Sequence, residues 1–173
     1  MNIFFLDMDV KKCAEYHCDK HVVKMVLETA QLLCSAHHVT DQVTNKYRPS
    51  NEQVPYKLAH KNHPCSIWTR KSLSNYLYLC ELGLELCKEY TYRYGKRHKS
   101  QEVIEWCLTN RPNITDSGIT EPPKAMPDEY KVDDVVESYR NYYRGAKSGF
   151  AVWKNRETPD WFLQKKELDL CYD

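Results

Sequence analysis

One stretch near the start of the chain gathers side chains that can transfer protons, attack carbonyl carbons or bind anions. At about 100° per residue, a helix there would carry them on one face about 100° wide. We call this set the polar seam, and it consists of His17, Lys20, His21, Lys24, Glu28 and Gln31. Most other positions between Cys18 and Cys34 are apolar. The pattern therefore predicts a helix that is buried on most sides and carries one narrow polar stripe.

The residue types of the polar seam suit catalysis. Crowded cations lower the pKa of a lysine and free its amine for attack, while imidazole and carboxylate groups transfer protons. We therefore assign catalytic roles to the following residues: His17, Lys20, His21, Lys24 and Glu28. The structural alternative is an internal ion-pair network, in which Lys24 and Glu28 pair because they lie four residues apart on a helix.

Histidines and cysteines near the polar seam raise the question of a metal ion. His17 and His21 are spaced to share one ion, and further His and Cys residues follow at 60, 63 and 65. Lys20 and Lys24 on the same face would repel a dication, however. The sequence also contains neither HExxH nor CxxC. We expect no metal site and no cofactor.

A second basic and aromatic segment, YRNYYRGAK, covers residues 139–147. On a helix, Arg140, Tyr143, Arg144 and Lys147 would share one face, where guanidinium groups bind phosphate and phenol rings stack on bases. The structural alternative is a solvated face whose tyrosines cover the core. Lys154 lies in a later Trp/Lys/Arg-rich stretch with the same composition.

His63 and Pro64 stand where a helix begins, and backbone N–H groups at a helix start favour an anion. Arg70 follows within two turns. We therefore predict a phosphate-binding set made of His63, Arg70, Arg140, Tyr143, Arg144, Lys147 and Lys154.

Composition limits the function classes. The 173 residues hold 25 basic and 24 acidic side chains, so the net charge of +1 excludes a polybasic coat for nucleic acid. Five glycines and the absence of GxGxxG and GxxxxGK[ST] exclude the common phosphate-binding loops. Local cations on a neutral chain fit a partner that is a nucleotide or a short stretch of nucleic acid.

The sequence also carries expectations about location. It has no apolar run of about 18 residues and no secretory signal pattern, so we expect no membrane association. Eight cysteines without a CxxC pair are read as reduced, buried thiols. Both observations favour the cytoplasm of a cell or of an infected host.

These residues must be positioned by helices. We predict a mainly α fold: one compact helical domain over 1–173, with a short extended N-terminal arm and long proline-rich loops. Helices are expected at about 10–36, 66–94, 101–109 and 134–144. Loops are expected at 39–60 and 111–132, the latter with four prolines. Either Asp133 or Asp134 is a candidate N-cap for the last of these helices, and Gly95 is a candidate C-terminal cap.

The order of motifs resembles a known family. An extended arm leads to a first helix with AEYH, and a second long helix follows NHP and ends in EYTYRYG. This layout is similar to the phage pyrimidine-dimer DNA glycosylases over about residues 2–98. The segments CDKHVVKM, YRNYYRG and EPPKAMPDEYK also resemble a group of phage and large-virus proteins. The resemblance implies the cytoplasm of a virus- or phage-infected host.

The resemblance implies an all-α enzyme that flips a nucleotide, forms a Schiff base at the sugar C1′ and cleaves the strand by β-elimination. In that family the amine is the chain's N-terminus, supported by a glutamate on the first helix. His17 matches the family histidine, whereas Lys24 occupies the glutamate position and Glu28 is the nearest carboxylate. We therefore expect Lys24 or Lys20 as the nucleophile with Glu28 as its partner.

Two other functions fit the same residues. One is a metal-independent phosphodiesterase that cleaves a cyclic nucleotide of host defence, with His17, His21, Lys24 and His63 as acid, base and charge-stabilising groups. Arg140 and Arg144 would hold the phosphate. The other is a binding protein that sequesters a nucleotide without turnover.

Overall fold

The buried centre of the molecule contains the arm at residues 3–6, which is extended and nearly inaccessible to solvent. The computed structural model describes residues 2–44 and 54–163, with backbone only for 41–44. Aromatic rings pack on the arm, with the ring centroids of Phe5 and Trp68 5.3 Å apart. Helices surround the arm in one compact domain, and the described residues form no strand, so the predicted mainly α fold is confirmed.

Six α-helices form the described part of the domain. They are α1 (Val10–Tyr16), α2 (Asp19–Thr44), α3 (Pro64–Lys71), α4 (Leu73–Tyr94), α5 (Gln101–Thr109) and α6 (Val135–Tyr142). A 3-10 turn, Asp128–Tyr130, precedes α6, and a π-helical turn, Tyr143–Lys147, follows it. None of the described helices is long and apolar enough to cross a membrane.

The predicted helix at 10–36 is two helices, because the chain is extended at His17. The guanidinium group of Arg93 stabilises this break. It donates to the carbonyl oxygens of Glu15 (3.0 Å) and His17 (2.7 Å) and to the carboxylate of Asp19 (3.1 Å). The helix also continues beyond 36 to Thr44, so the predicted loop at 39–60 is wrong for 39–44, where no Gly or Pro interrupts the helix. Residues 45–53 lie outside the described part.

The predicted helix at 66–94 begins two residues earlier and is interrupted at Ser72, whose backbone is extended. The cause lies in the connection after α5. The Asp116 carboxylate accepts hydrogen bonds from the Ser72 hydroxyl (3.1 Å) and from the Ser74 N–H (3.1 Å) and hydroxyl (2.6 Å). These bonds serve as a cap for the first turn of α4. Gly95 ends α4 in the left-handed conformation (φ 69°), as predicted.

The connection at 111–132 is irregular, as predicted, apart from its 3-10 turn. Helix α6 starts after Asp134, whose carboxylate accepts from the Glu137 N–H. It is shorter than the predicted 134–144, since the backbone changes to the π-helical turn at Tyr143. A Cβ atom at Gly145 would collide with the ring of Tyr130, so glycine lets the turn lie against that ring.

Helix α2 lies between α3, α4 and α5 and supplies much of the core. Gly83 of α4 permits the close approach, because a Cβ there would lie 2.8 Å from Thr29 of α2 and 3.0 Å from Ile104 of α5. The seven described cysteines are all buried and free, so they pack as small apolar residues.

Candidate functional site

The polar seam divides into two sets along α2. Lys20 and Lys24 are exposed, whereas His21 and Glu28 retain only 5% and 8% of their accessible surface. The exposed face of α2 also includes Val23 and Leu27, each 40% exposed. The predicted burial on most sides is therefore wrong for this face of α2, which is open and mixes cationic with apolar groups. The arm covers the histidine edge, where the ring of Phe4 stacks on His21.

His21 is held from two sides. Its ring stacks on Phe4 with centroids 4.4 Å apart, and its Nδ1 lies 2.5 Å from the hydroxyl oxygen of Tyr143. Burial lowers the pKa of His21 to about 3, helped by nearby positive charges that include Lys147 and Lys24. The imidazole is therefore neutral at physiological pH.

Tyr143 fixes the tautomer of His21. The Tyr143 hydroxyl accepts the N–H of Cys18 (3.3 Å), and burial raises the pKa of Tyr143 well above its usual value. The hydroxyl thus keeps its proton and donates it to the nearest strong acceptor, Nδ1 of His21, in preference to the weakly accepting Cys18 sulfur at 3.7 Å. The ring proton of His21 then resides on Nε2.

Three lysines and two partly accessible rings surround His21, and we call them the cationic face. It consists of Lys20, Lys24, Lys147, Tyr142 and Phe150. Lys20 Nζ lies 4.6 Å from the centroid of Phe150, and Lys147 Nζ lies 4.7 Å from that of Tyr142. These are cation–π distances, so each ring helps to hold an ammonium group toward solvent.

Glu28 lies at the other end of this arrangement. Its Oε1 is 3.9 Å from Lys24 Nζ, with 11% of the Glu28 side chain and 62% of the Lys24 side chain exposed. The structural alternative for this pair, an ion pair of residues four apart, is thus present, but it lies at the surface. A helix pair four residues apart, with its lysine in solvent, contributes only about 0.3–0.5 kcal/mol.

His63 lies near Glu28 and serves as the N-cap of α3. Its Nδ1 accepts the N–H of Cys65 at 3.0 Å. Burial lowers the pKa of His63, and the Glu28 carboxylate partly opposes that shift. The Cys65 thiol donates to Asn2 at 3.3 Å. The start of the arm, the start of α3 and Glu28 therefore meet in one region.

His17, predicted as catalytic, does not reach the cationic face. It is 1% exposed, and its Nδ1–H donates to the carbonyl oxygen of Cys13 at 2.7 Å. Burial lowers the pKa of His17 to about 4. Because the helix breaks at this residue, its ring closes the end of α1 and does not continue the stripe on α2.

The guanidinium group of Arg140, predicted to bind phosphate, lies between two rings. Its centre is 5.6 Å from Tyr16 and 5.3 Å from Trp161. Its Nε donates to the carbonyl oxygen of Leu6 at 2.9 Å, and its Nη2 lies 3.5 Å from Asp7. Arg140 thus connects α6 to the arm.

Arg144 is similarly engaged. It donates to the carbonyl oxygen of Trp161 (2.9 Å), to the carboxylate of Glu137 (2.5 Å) and to the amide oxygen of Asn141. The face predicted for residues 140–147 is therefore divided: Arg140 and Arg144 bind protein groups, while Tyr143 and Lys147 approach His21. The π-helical turn changes the helical register after Tyr142, which the assumption of a regular helix could not anticipate.

Arg70 and Lys154 lie apart from one another. Arg70 donates to the carbonyl oxygen of Lys61 (2.7 Å) and so bridges the loop before α3. Lys154 is exposed over the ring of Tyr94 at 5.3 Å, near the start of α2, and its backbone N–H donates to Asp19. Within the part of the chain that the structure describes, neither residue contacts His21.

Phe4, Tyr142, Phe150 and Arg93 contribute to the site or support it, although the sequence did not single them out. Phe4 lies in an apolar run that indicates core, and Phe150 lies in a short Gly-containing connection. Arg93 carried a usable signal, because Glu89 four residues earlier predicts an ion pair, observed at 2.8 Å.

Across residues 2–44 and 54–163, no three His, Cys, Asp or Glu side chains are grouped so that they could hold a metal ion. Comparison with known proteins finds no matching family model, no similar curated protein and no matching solved structure.

Proposed function

We propose that the cationic face binds DNA and that the protein is a base-excision enzyme of the DNA glycosylase and abasic-site lyase type. Lys24 is the amine nucleophile, and Glu28 is its proton-transfer partner. One observation carries this proposal: an exposed lysine amine lies 3.9 Å from a largely buried carboxylate, beside the neutral imidazole of His21.

Lys24 supplies covalent chemistry at an abasic site. Its free amine adds to the C1′ aldehyde carbon of the open sugar, and water leaves to give an imine. Water then accepts a proton from C2′, the electron pair forms the C1′–C2′ enamine and then a C2′–C3′ double bond, and the C3′–O bond breaks so that the downstream strand leaves with its 5′ phosphate. Water hydrolyses the imine and restores the amine. Glu28 accepts the proton that the ammonium group of Lys24 must lose before it attacks.

The surrounding groups suit a nucleic-acid substrate. Lys20 and Lys147 carry positive charge toward solvent and contact phosphate oxygens. Tyr142 and Phe150 offer partly accessible rings for unpaired bases, and His21 offers its Nε2–H to a substrate oxygen. This arrangement supports binding of a few nucleotides of a strand.

The phosphodiesterase alternative receives less support. That reaction needs one imidazolium group as a general acid at neutral pH, and the pKa values of His17 and His21 are lowered to about 4 and about 3. His17 is also buried, with 1% of its surface exposed, and so cannot meet a substrate. Sequestration of a nucleotide without turnover would use the same face, and the experiment below separates it from catalysis.

Borohydride trapping tests the proposal. The wild-type protein, incubated with an oligonucleotide that carries one abasic site and then reduced, should yield a covalent adduct. Lys24→Arg keeps the positive charge but has no amine that forms an imine, so it should lose the adduct. Lys20→Arg, one helical turn away, is the matched control and should keep it. An undiminished adduct in Lys24→Arg overturns the assignment, and binding without an adduct in the wild type identifies a binding protein.

A further inference from the structure

Phe150 and Lys147 border the exposed face of α2 on one side. The connection between α4 and α5 forms the opposite border, and His98 attaches this connection to α2. The Nε2–H of His98 donates to the carbonyl oxygen of Val23 at 2.9 Å, and Nδ1 accepts the N–H of Ser100 at 3.0 Å. Both ring nitrogens are thus used to hold this connection beside Val23, one residue before Lys24.

This second border is basic and concave. A cavity of about 280 Å³ is lined by Arg97, His98, Lys99 and Glu102. Lys96 and Lys99 are exposed, and Arg97 pairs with Glu105 of α5 at 2.8 Å. Because Arg97 is paired, Lys96 and Lys99 are the cations here with the greater freedom to meet an anion.

The charge of the molecule is distributed unevenly. Another cavity, formed by α1, α4 and α5, is lined by three carboxylates, those of Glu81, Glu85 and Glu105, and by one cation, Lys88. Carboxylates thus predominate in this cavity, whereas exposed lysines predominate on and beside α2. A polyanion would be steered toward the α2 side.

We propose that a single nucleic-acid strand crosses α2, from Phe150 and Lys147 to the connection between α4 and α5, where Lys96 and Lys99 bind phosphates outside the reacting nucleotide. This inference rests on the proposed function for the position of the reacting nucleotide. A helix is about 10–12 Å wide with its side chains, so a single nucleotide cannot reach across it and several linked nucleotides can.

The chemistry of the path favours a single strand over a duplex. Val23 and Leu27 expose apolar surface between the two basic borders, and Phe150 exposes a ring. Unpaired bases and sugars can cover such apolar groups, and base–ring stacking tolerates any sequence. A duplex would present its phosphates and leave the apolar groups uncovered.

Fluorescence anisotropy with undamaged thymidine oligonucleotides tests this path. Lys99→Gln should weaken binding of a 12-mer about fivefold at 0.1 M salt and lower the salt slope by about 0.7, the value for one phosphate contact on a single strand. Binding of thymidine 5′-monophosphate should stay unchanged, because it cannot span α2. Lys88→Gln is the matched control, because Lys88 lies in the cavity lined by carboxylates. It should alter neither the binding of the 12-mer nor the binding of thymidine 5′-monophosphate.

The path is overturned if Lys99→Gln and Lys88→Gln affect the 12-mer equally, if Lys99→Gln has no effect, or if a duplex binds more tightly than the strand. The assay requires no imine. If binding of the 12-mer depends on Lys99 but the abasic oligonucleotide gives no trapped adduct, only the lyase chemistry is overturned. If an adduct is trapped but binding of the 12-mer does not depend on Lys99, only the path is overturned.

Discussion

Two buried histidines make the stability of the fold depend on pH. His17 and His21 have pKa values of about 4 and about 3, against 6.5 in the unfolded chain, because burial disfavours the charged ring. The unfolded state therefore binds more protons below pH 6.5. Since the free energy of unfolding rises with pH wherever the unfolded state binds more protons, both histidines destabilise the folded chain as pH falls from 6.5.

We expect His21→Gln to reduce the loss of stability between pH 7.5 and pH 5 by about 2 kcal/mol, at about 1.4 kcal/mol per pH unit below 6.5. Urea unfolding of both proteins at the two pH values measures this difference, and carboxylates common to both cancel. His38→Gln is the matched control, because His38 lies outside the site, with its Nε2 2.8 Å from the carbonyl oxygen of Tyr56. An unchanged pH dependence in His21→Gln would contradict the buried, neutral ring.

Arg144 and Lys147, three residues apart, should respond in opposite ways to substitution. Arg144→Met removes charged hydrogen bonds to Glu137 and Trp161 and should lower the free energy of unfolding by about 1.5–3 kcal/mol, with little change in the salt slope of DNA binding. Lys147→Met loses one partly exposed cation–π contact, about 0.5–1 kcal/mol, but should lower the salt slope by about 0.7.

Thermal or urea unfolding combined with salt titration of binding tests this pair. Equal changes in stability for the two variants, or a lower salt slope for Arg144→Met, would show that the structural and binding roles are not divided in this way.

At the scale of elements, the helices follow from local patterns, and their interruptions do not. Apolar periodicity, Gly95 and Asp134 indicate where helical segments lie and where some end. The break at His17 depends on Arg93, 76 positions later, and the break at Ser72 on Asp116, 44 positions later. Such distant partners leave no signal in the local sequence, so two continuous helices were predicted where there are four.

The same reasoning applies to the candidate site. Spacing predicted that Lys20, His21, Lys24 and Glu28 occupy one side of a helix, and they do. It could not predict that the arm covers His21, because Phe4 lies 17 positions away. It could not predict the π-helical turn that directs Lys147 toward α2 and Arg144 toward Trp161.

Substitution of Arg93 tests what stabilises the break between α1 and α2. Its side chain is fully buried, and it pairs with Glu89 at 2.8 Å while binding two carbonyl oxygens at the break. Arg93→Met should lower the free energy of unfolding by about 3–5 kcal/mol, because it removes a buried ion pair and leaves the carbonyl oxygens at the break without their donor, while the Glu89 carboxylate keeps only its pair with Arg156 (2.6 Å).

Arg97→Met is the matched control, since the side chain of Arg97 is 58% exposed and its ion pair with Glu105 is worth about 0.2–1 kcal/mol. Chemical denaturation of both variants measures their losses in the free energy of unfolding. A loss below 1 kcal/mol for Arg93→Met would mean that the break forms without its guanidinium group.

In the described part of the molecule, exposed lysines lie on and beside α2, whereas a cavity at α4 and α5 is lined mainly by carboxylates. Such a distribution would let a protein of net charge +1 bind phosphates locally, as we propose. The proposed nucleophile, Lys24, lies among the exposed lysines of α2. The proposed chemistry therefore depends on one atom, the Nζ of Lys24, as the nucleophile.

Peptide mapping of the reduced adduct by mass spectrometry identifies the amine that attacks the sugar. After borohydride trapping on abasic DNA and digestion of both protein and oligonucleotide, the sugar fragment should be found on Lys24. Lys24 is not the nucleophile if the fragment is found on Lys20, on Lys147 or on any other amine. The same holds if the protein binds DNA but no modified peptide is found.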